Sequence, residues 1–147
     1  MTEECVVQLG TDNRQIRIIL HYRPYAKATD AWDRDAITAT VEVNTGEFHG
    51  RIQTLIWSHE LEYLRRLLMD LYQHVGHPAE ARFELREATL SLVFELTKTG
   101  HLNVRVKACD MELDPTVLTY LIYADQTFLP IWSSEITRAL EQFPKEL

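Results

Sequence analysis

The sequence predicts an α+β fold: a single domain over residues 1–147, with about eight mostly antiparallel strands and two amphipathic helices in the order ββββα-ββββα. Two observations lead to this class. Segments in which apolar and polar residues alternate occur in both halves of the chain, as in strands that bury one face. Each set of such segments is followed by an apolar stripe with three- and four-residue spacing, which predicts a helix. A chain of this length can bury one sizeable core.

The first four strands are expected before residue 57. Apolar residues alternate with polar ones over residues 5–9, 14–21, 37–43 and 47–56. In the last of these segments, Phe48, Ile52 and Ile56 are expected on one face. Residues 44–46 form a short hairpin connection, in which Gly46 can adopt the positive φ that such turns use.

The central helix is the element with the clearest pattern. Its apolar stripe consists of Leu61, Leu64, Leu68, Leu71 and Val75. Ser58 is a suitable N-cap, and Glu60 and Glu62 suit the positive end of the helix dipole. Gly76 ends the helix. On this helix the acidic side chains are expected to face the solvent.

Strand patterns return in the second half of the chain. Segments with strand periodicity are found from residue 83 and over residues 90–96, 102–106 and 116–124. The last of them is rich in β-branched and aromatic residues, which predicts a strand buried on both faces. The stripe of the final helix is Ile136, Ala139, Leu140 and Phe143, and Pro144 ends it.

Composition limits the classes of partner and compartment. A formal net charge of −7 argues against nucleic acid as the main partner, because phosphate binding needs a basic surface. It is compatible with a basic protein partner and also with solubility alone. No apolar run reaches the length of a membrane span, and the acidic start does not resemble a signal peptide. Cys5 and Cys109 are expected to be reduced thiols, which favours the cytoplasm.

Signatures of an enzyme are weak. The chain has five glycines and lacks a glycine-rich phosphate loop or a nucleophile elbow, so we expect no catalytic residues and no cofactor. Asp30, Asp33 and Asp35 form an acid-rich segment before the third strand. Paired carboxylates can act as general acid and base, but a solvated loop is the more ordinary interpretation.

Asp70, His74 and His77 support a rival hypothesis. Asp70 and His74 are one helical turn apart, and His77 follows the helix end. Three such ligands can hold a metal ion and leave a position open for chemistry. The same residues also suit a solvated C-terminal turn, where histidine interacts favourably with the helix dipole. We expect no bound metal.

Trp32 is the unusual residue of the acid-rich segment. A tryptophan in a polar segment is most often a lid over the edge of the core, and less often an anchor residue that a partner buries. Both interpretations stay open from composition alone, with the lid favoured.

Three short motifs occur in order along the chain. Their defining positions are Trp32, Asp33, Asp35, Gly46, Phe48, Gly50, Asp125 and Pro130. Together they resemble the WapI-type immunity proteins, which pair with polymorphic, contact-dependent toxins of bacteria. The similarity runs from about residue 29 to residue 144. Family members tend to carry Asn and a bulky aromatic residue where this chain has Asp35 and Ala36.

The resemblance implies a scaffold role for the motif residues. Trp32 would cover a sheet edge, and the carboxylate of Asp33 would accept backbone N–H groups where the chain enters the strand. The toxin-facing surface would include acidic positions. The candidates for partner binding are Asp30, Trp32, Asp35, Glu60, Glu62 and Asp70.

Two functional hypotheses follow from these observations. The leading one is a cytoplasmic inhibitor that neutralises a cognate toxin, such as a nuclease, by forming a stoichiometric complex. The alternative is a small metal-dependent enzyme or ligand-binding domain that uses Asp70, His74 and His77.

Overall fold

The computed structural model describes residues 4–147, which contain eight strands and three helices. The first half comprises β1 (Cys5–Gly10), β2 (Gln15–Tyr22), α1 (Ala31–Asp35), β3 (Ala36–Asn44), β4 (His49–Trp57) and α2 (Ser58–Gln73). The second half comprises β5 (Ala79–Glu84), β6 (Leu90–Leu96), β7 (His101–Cys109), β8 (Val117–Asp125) and α3 (Phe128–Gln142). The predicted α+β class and the repeated order of four strands and a helix are confirmed. The short helix α1 was not predicted.

Two four-stranded sheets are formed, one by each half of the chain. Their strand orders are β1-β2-β3-β4 and β5-β6-β7-β8, and every neighbouring pair is antiparallel. Each sheet is therefore a meander of strands that follow one another in sequence. The predicted hairpin between β3 and β4 is present, and Gly46 adopts a positive φ of 93° there. Phe48 lies in this turn, before β4 begins, with 66% of its surface exposed, so the prediction that it shares a strand face with Ile52 and Ile56 is wrong.

The buried faces of the two sheets and of the two long helices share one hydrophobic core. Val41 of β3, Phe94 of β6, Leu64 of α2 and Trp132 of α3 all belong to it. The two helices pack against each other, and α3 also lies along β1. That the whole of residues 1–147 is one domain stays a prediction, which this continuous core supports.

Side-chain hydrogen bonds connect the two sheets at two places. The phenol of Tyr120 on β8 donates to the carbonyl of Gln15 at 2.8 Å, and burial raises the pKa of this phenol to about 12. Arg14 donates to the carbonyl of Leu121, also on β8, at 3.0 Å. Elsewhere the hydroxyls of Thr54 and Thr89 are 2.9 Å apart, which connects β4 to the turn before β6.

The leucine stripe of α2 is buried as predicted, but both helix ends differ from the prediction. The N-cap is Trp57, and Ser58 is already the first helical residue. The helix stops at Gln73, before Gly76, which has a φ of 96°. Val75 therefore lies beyond the helix and is 37% exposed.

Strand β8 corrects a further prediction. It was expected to be buried on both faces, yet Tyr120 and Ile122 are buried while Val117 and Tyr123 are exposed. One face of β8 is exposed because the outer face of its sheet meets solvent, and β8 lies at the edge of that sheet. The composition of the strand does not reveal either fact. In residues 4–147, no helix is long and apolar enough to cross a membrane.

We predict that Leu64→Ala or Leu68→Ala lowers the free energy of unfolding by about 2–5 kcal/mol, because each fully buried side chain would leave a cavity. Urea denaturation followed by circular dichroism measures the change. Met69→Ala, on the exposed side of α2, is the control and should change stability by less than about 0.5 kcal/mol. Similar small losses at all three positions would contradict the assigned helix face.

Candidate functional site

The acid-rich segment folds into α1 rather than into a solvated loop. Asp30 is its N-cap, and its carboxylate accepts the N–H of Trp32 at 2.9 Å. This bond satisfies one of the amides that a helix start leaves unpaired. Asp33, whose carboxylate was expected to accept backbone N–H groups where the chain enters the strand, is exposed, and it is Asp30 that accepts a backbone N–H at this point of the chain.

Asp35 is fully buried at the end of α1 and binds two distant parts of the chain. Its Oδ2 accepts the backbone N–H of His59 at 2.9 Å and lies 2.7 Å from Nδ1 of the same residue. Its Oδ1 accepts the N–H of Glu146 at 2.8 Å. One carboxylate thus holds the first turn of α2 and the C-terminal segment. Asp35 was a candidate for partner binding, but the structure leaves none of its surface accessible.

The place where Asp35, His59 and Glu146 meet is called the junction, and aromatic rings lie beside it. The indole N–H of Trp57 donates to the carbonyl of Trp32 at 3.0 Å, and the two ring centroids are 5.5 Å apart. The Trp32 ring also lies 4.9 Å from the ring of His59, centroid to centroid. The guanidinium of Arg86 lies 4.7 Å from the Trp32 centroid and 5.8 Å from the Trp57 centroid, within cation–π range of both rings. These contacts favour the lid interpretation of Trp32.

Glu60 is a second buried acidic residue. It is 8% exposed, so its predicted solvent-facing position is wrong. Its carboxylate accepts the N–H of Trp57 at 3.0 Å and that of Arg86 at 2.8 Å. Burial raises the pKa of Glu60, and these two backbone bonds act in the opposite direction. Glu60 therefore joins the start of α2 to the turn between β5 and β6.

Arg23 also binds the C-terminal segment. Its guanidinium donates to the carbonyl of Arg34 at 2.8 Å, to the hydroxyl of Ser58 at 3.1 Å and to the carbonyl of Pro144. The Ser58 hydroxyl donates in turn to the carbonyl of Phe143 at 2.9 Å. Sequence reasoning did not single out Arg23, His59, Arg86 or Glu146. No local motif marks them, because their partners are far away in the chain.

The remaining acidic candidates lie on the accessible side of α2. Glu62 is held by Arg65 at 2.7 Å and by Arg66 at 3.1 Å. The hydrogen bond from Arg65 is the main cause that lowers the pKa of Glu62 to about 2. Asp70 is exposed and its backbone carbonyl, not its carboxylate, is bonded to Nδ1 of His74 at 2.8 Å.

The proposed metal ligands do not assemble. Within the part of the chain that the structure describes, no three His, Cys, Asp or Glu side chains converge in a way that could hold a metal ion. Asp70, His74 and His77 therefore form no such group. The structure therefore gives no support to the metal-dependent form of the rival hypothesis, although Asp70 and His74 both line a groove between α2 and β5.

The other motif residues sit in turns and junctions. Gly50 on β4 is paired with Val43, and a Cβ at Gly50 would lie 3.2 Å from a Val43 methyl group. Asp125 ends β8 and its carboxylate accepts the N–H of Thr127 at 2.8 Å. Hydrogen bonds from Thr127 lower the pKa of Asp125. Pro130 occupies the first turn of α3, where a missing N–H is tolerated.

We predict that Trp32→Ala lowers the free energy of unfolding by about 1–3 kcal/mol, because it removes the ring that packs on Trp57 and Arg86. Thermal denaturation measures the effect. Tyr25→Ala removes a ring that is 52% exposed and is the matched control, with little change expected. Normal melting of Trp32→Ala combined with loss of binding to a protein partner would show that Trp32 is an interface residue.

We predict that Glu62→Gln lowers the unfolding free energy by about 0.3–1 kcal/mol at pH 7, a modest value because the ion pairs are partly exposed. The folded-state pKa of Glu62 is depressed to about 2, so its contribution is present above the unfolded pKa and lost as pH falls toward 2. Denaturation of both proteins at several pH values checks this. A difference that persists unchanged at pH 2 would contradict the assignment.

Comparisons with known proteins place the chain in a family. A family model described as the immunity protein WapI-like family matches residues 7–144. Curated proteins yield no match. Among solved structures, the chain resembles a protein of unknown function from the DUF155 family of Prochlorococcus sp. NATL2A, with 8% identity and a TM-score of 0.37, over 91% of this chain and 98% of that one. That similarity is too low to inform fold or function. The family match covers nearly the whole chain, which therefore belongs to the WapI-like immunity protein family.

Proposed function

We propose that this protein neutralises a cognate bacterial toxin by binding it in a stoichiometric complex in the cytoplasm, and that the toxin is a nuclease. The observation that carries this proposal is the family match over residues 7–144. Immunity follows from the family, whereas the mode of inhibition, the compartment and the class of toxin are proposed on physical grounds.

The charge of the chain supports a basic target. The formal net charge is −7, and an enzyme that cleaves nucleic acid presents basic groups to phosphate. An acidic inhibitor approaches such a surface faster than a neutral one, and its carboxylates compete with phosphate for the same cations. The same charge makes nucleic acid itself an unfavourable partner for this protein.

The junction supports inhibition by a preformed surface. Asp35 and Arg23 hold α1, the start of α2 and the C-terminal segment together, and Glu60 joins the start of α2 to the turn between β5 and β6. A surface that is rigid before binding loses less conformational entropy when the complex forms, which favours tight binding. Inhibition of this kind needs coverage of the toxin and no catalytic group.

The two cysteines support a reducing compartment. Cys5 is buried and Cys109 is partly buried, and both are free thiols. Burial raises the pKa of the Cys5 thiol, which keeps it protonated and unreactive. Free cysteines of this kind are typical of cytoplasmic proteins.

We predict that protection from the toxin saturates at a 1:1 molar ratio. The purified protein is titrated against the toxin domain encoded next to its gene, and the toxin's cleavage of nucleic acid is measured. An unrelated acidic protein of similar size and net charge is the control for charge sequestration, and it should not protect.

Two outcomes would contradict the proposal. Full protection at a small fraction of the toxin concentration would indicate turnover rather than stoichiometric binding. Equal protection by the acidic control would indicate that net charge alone suffices and that no specific complex forms.

A further inference from the structure

The connection between β7 and β8 presents apolar side chains to solvent. This connection, residues 110–116, is called the hairpin tip, and its sequence is Asp-Met-Glu-Leu-Asp-Pro-Thr. Leu113 is 106% exposed, as accessible as in an extended peptide, and Met111 is 63% exposed. These two large apolar residues, within three positions of a polar turn, therefore contribute little buried surface to the fold. Their burial by a partner would be favourable.

The hairpin tip has a defined conformation at its base. The N–H of Asp110 donates to the carbonyl of Thr116 at 3.2 Å, and the Asp110 carboxylate accepts the N–H of Thr116 at 3.1 Å. The adjacent N–H of Cys109 donates to the carbonyl of Thr89 at 2.9 Å, which joins this region to the turn before β6. A partner would therefore meet Met111 and Leu113 on an ordered support and not on a free loop.

Unpaired negative charge surrounds these apolar side chains. Asp110, Glu112 and Asp114 alternate with them, and in residues 4–147 none of the three takes part in an ion pair. Carboxylates without a cation of their own are free to pair with the cations of a partner.

The groove between α2 and β5 is a second surface that could contact a partner. It is lined by Tyr63, Leu67, Asp70, His74 and Arg82, among others, and so also presents aromatic and apolar groups. Its charges are mixed, however: Glu80 is paired with Arg82 at 2.9 Å, and in residues 4–147 Asp70 takes part in no ion pair. The hairpin tip has three unpaired carboxylates and no basic residue. Charge complementarity with a basic partner therefore favours the hairpin tip over this groove.

We propose that the hairpin tip is a principal contact with the toxin, and this inference rests on the proposed function. Leu113 and Met111 enter an apolar depression on a basic face of the toxin, and Glu112 and Asp114 pair with lysine or arginine side chains at its rim. The apolar pair determines how long the complex lasts, while the acids accelerate its formation.

The test uses two kinds of variant, each with a matched control. Leu113→Ser removes the apolar side chain, and Ile131→Ser does the same at a 56% exposed position on α3. Glu112→Lys reverses a charge at the hairpin tip, and Glu141→Lys reverses an exposed charge near the end of α3. Asp110 is left unchanged because it orders the connection. Binding to the immobilised, catalytically inactive toxin domain encoded next to the gene is measured by surface plasmon resonance.

The inference predicts different kinetic effects for the two variants. Leu113→Ser should weaken binding about tenfold or more, mainly through faster dissociation. Glu112→Lys should slow association several-fold at low salt, and the difference should shrink as salt screens the charges. Both controls should bind like the wild type, and all four variants should keep the wild-type melting temperature.

Two results would overturn the inference in distinguishable ways. If the wild type binds and both hairpin-tip variants bind equally well, or if the controls weaken binding as much, the hairpin tip is not the contact and the proposed function stands. If the wild type neither binds nor protects, the proposed function is wrong, and the inference, which rests on it, is wrong as well.

Discussion

One buried carboxylate, that of Asp35, is the constraint on which the junction depends. It is fully removed from water, and that position is tolerable only because both of its oxygens are hydrogen-bonded. The donors are the amides of His59 and Glu146 and the imidazole of His59. Its negative charge also lies at the first turn of α2, where the helix dipole favours an anion. The Trp32 ring packs on the ring of His59, one of these donors, and on the ring of Trp57.

The acidic residues of this protein include two groups with different roles. Asp35 and Glu60 are interior groups that satisfy backbone amides and join parts of the fold that are distant in sequence. Glu112 and Asp114 are exposed and free of internal partners, so they can act on an approaching protein. Net charge alone does not separate these groups. The division explains how one chain can use carboxylates both to build a rigid scaffold and to attract a basic target.

The parts of the fold that the sequence predicts are those set by neighbouring residues. Alternation over two positions predicts the strands, and spacing over three or four predicts the buried face that Leu64 and Leu68 share on α2. The junction was missed because its bonds span long separations: 24 residues from Asp35 to His59 and 111 to Glu146. The exposure of Leu113 was also missed. It depends on where β7 ends and where β8 begins, and the pairing of these two strands, not the residues next to Leu113, sets both positions.

Native-state hydrogen exchange of the His59 and Glu146 amides tests the central role of Asp35 most directly. In the wild type both amides should be strongly protected, because the Asp35 carboxylate accepts both N–H groups. In Asp35→Ala the two amides should lose protection together, while amides in the centre of the β5-β6-β7-β8 sheet keep more of theirs. Unchanged protection of both amides in that variant would contradict the account, since it would show that the junction holds without the buried carboxylate.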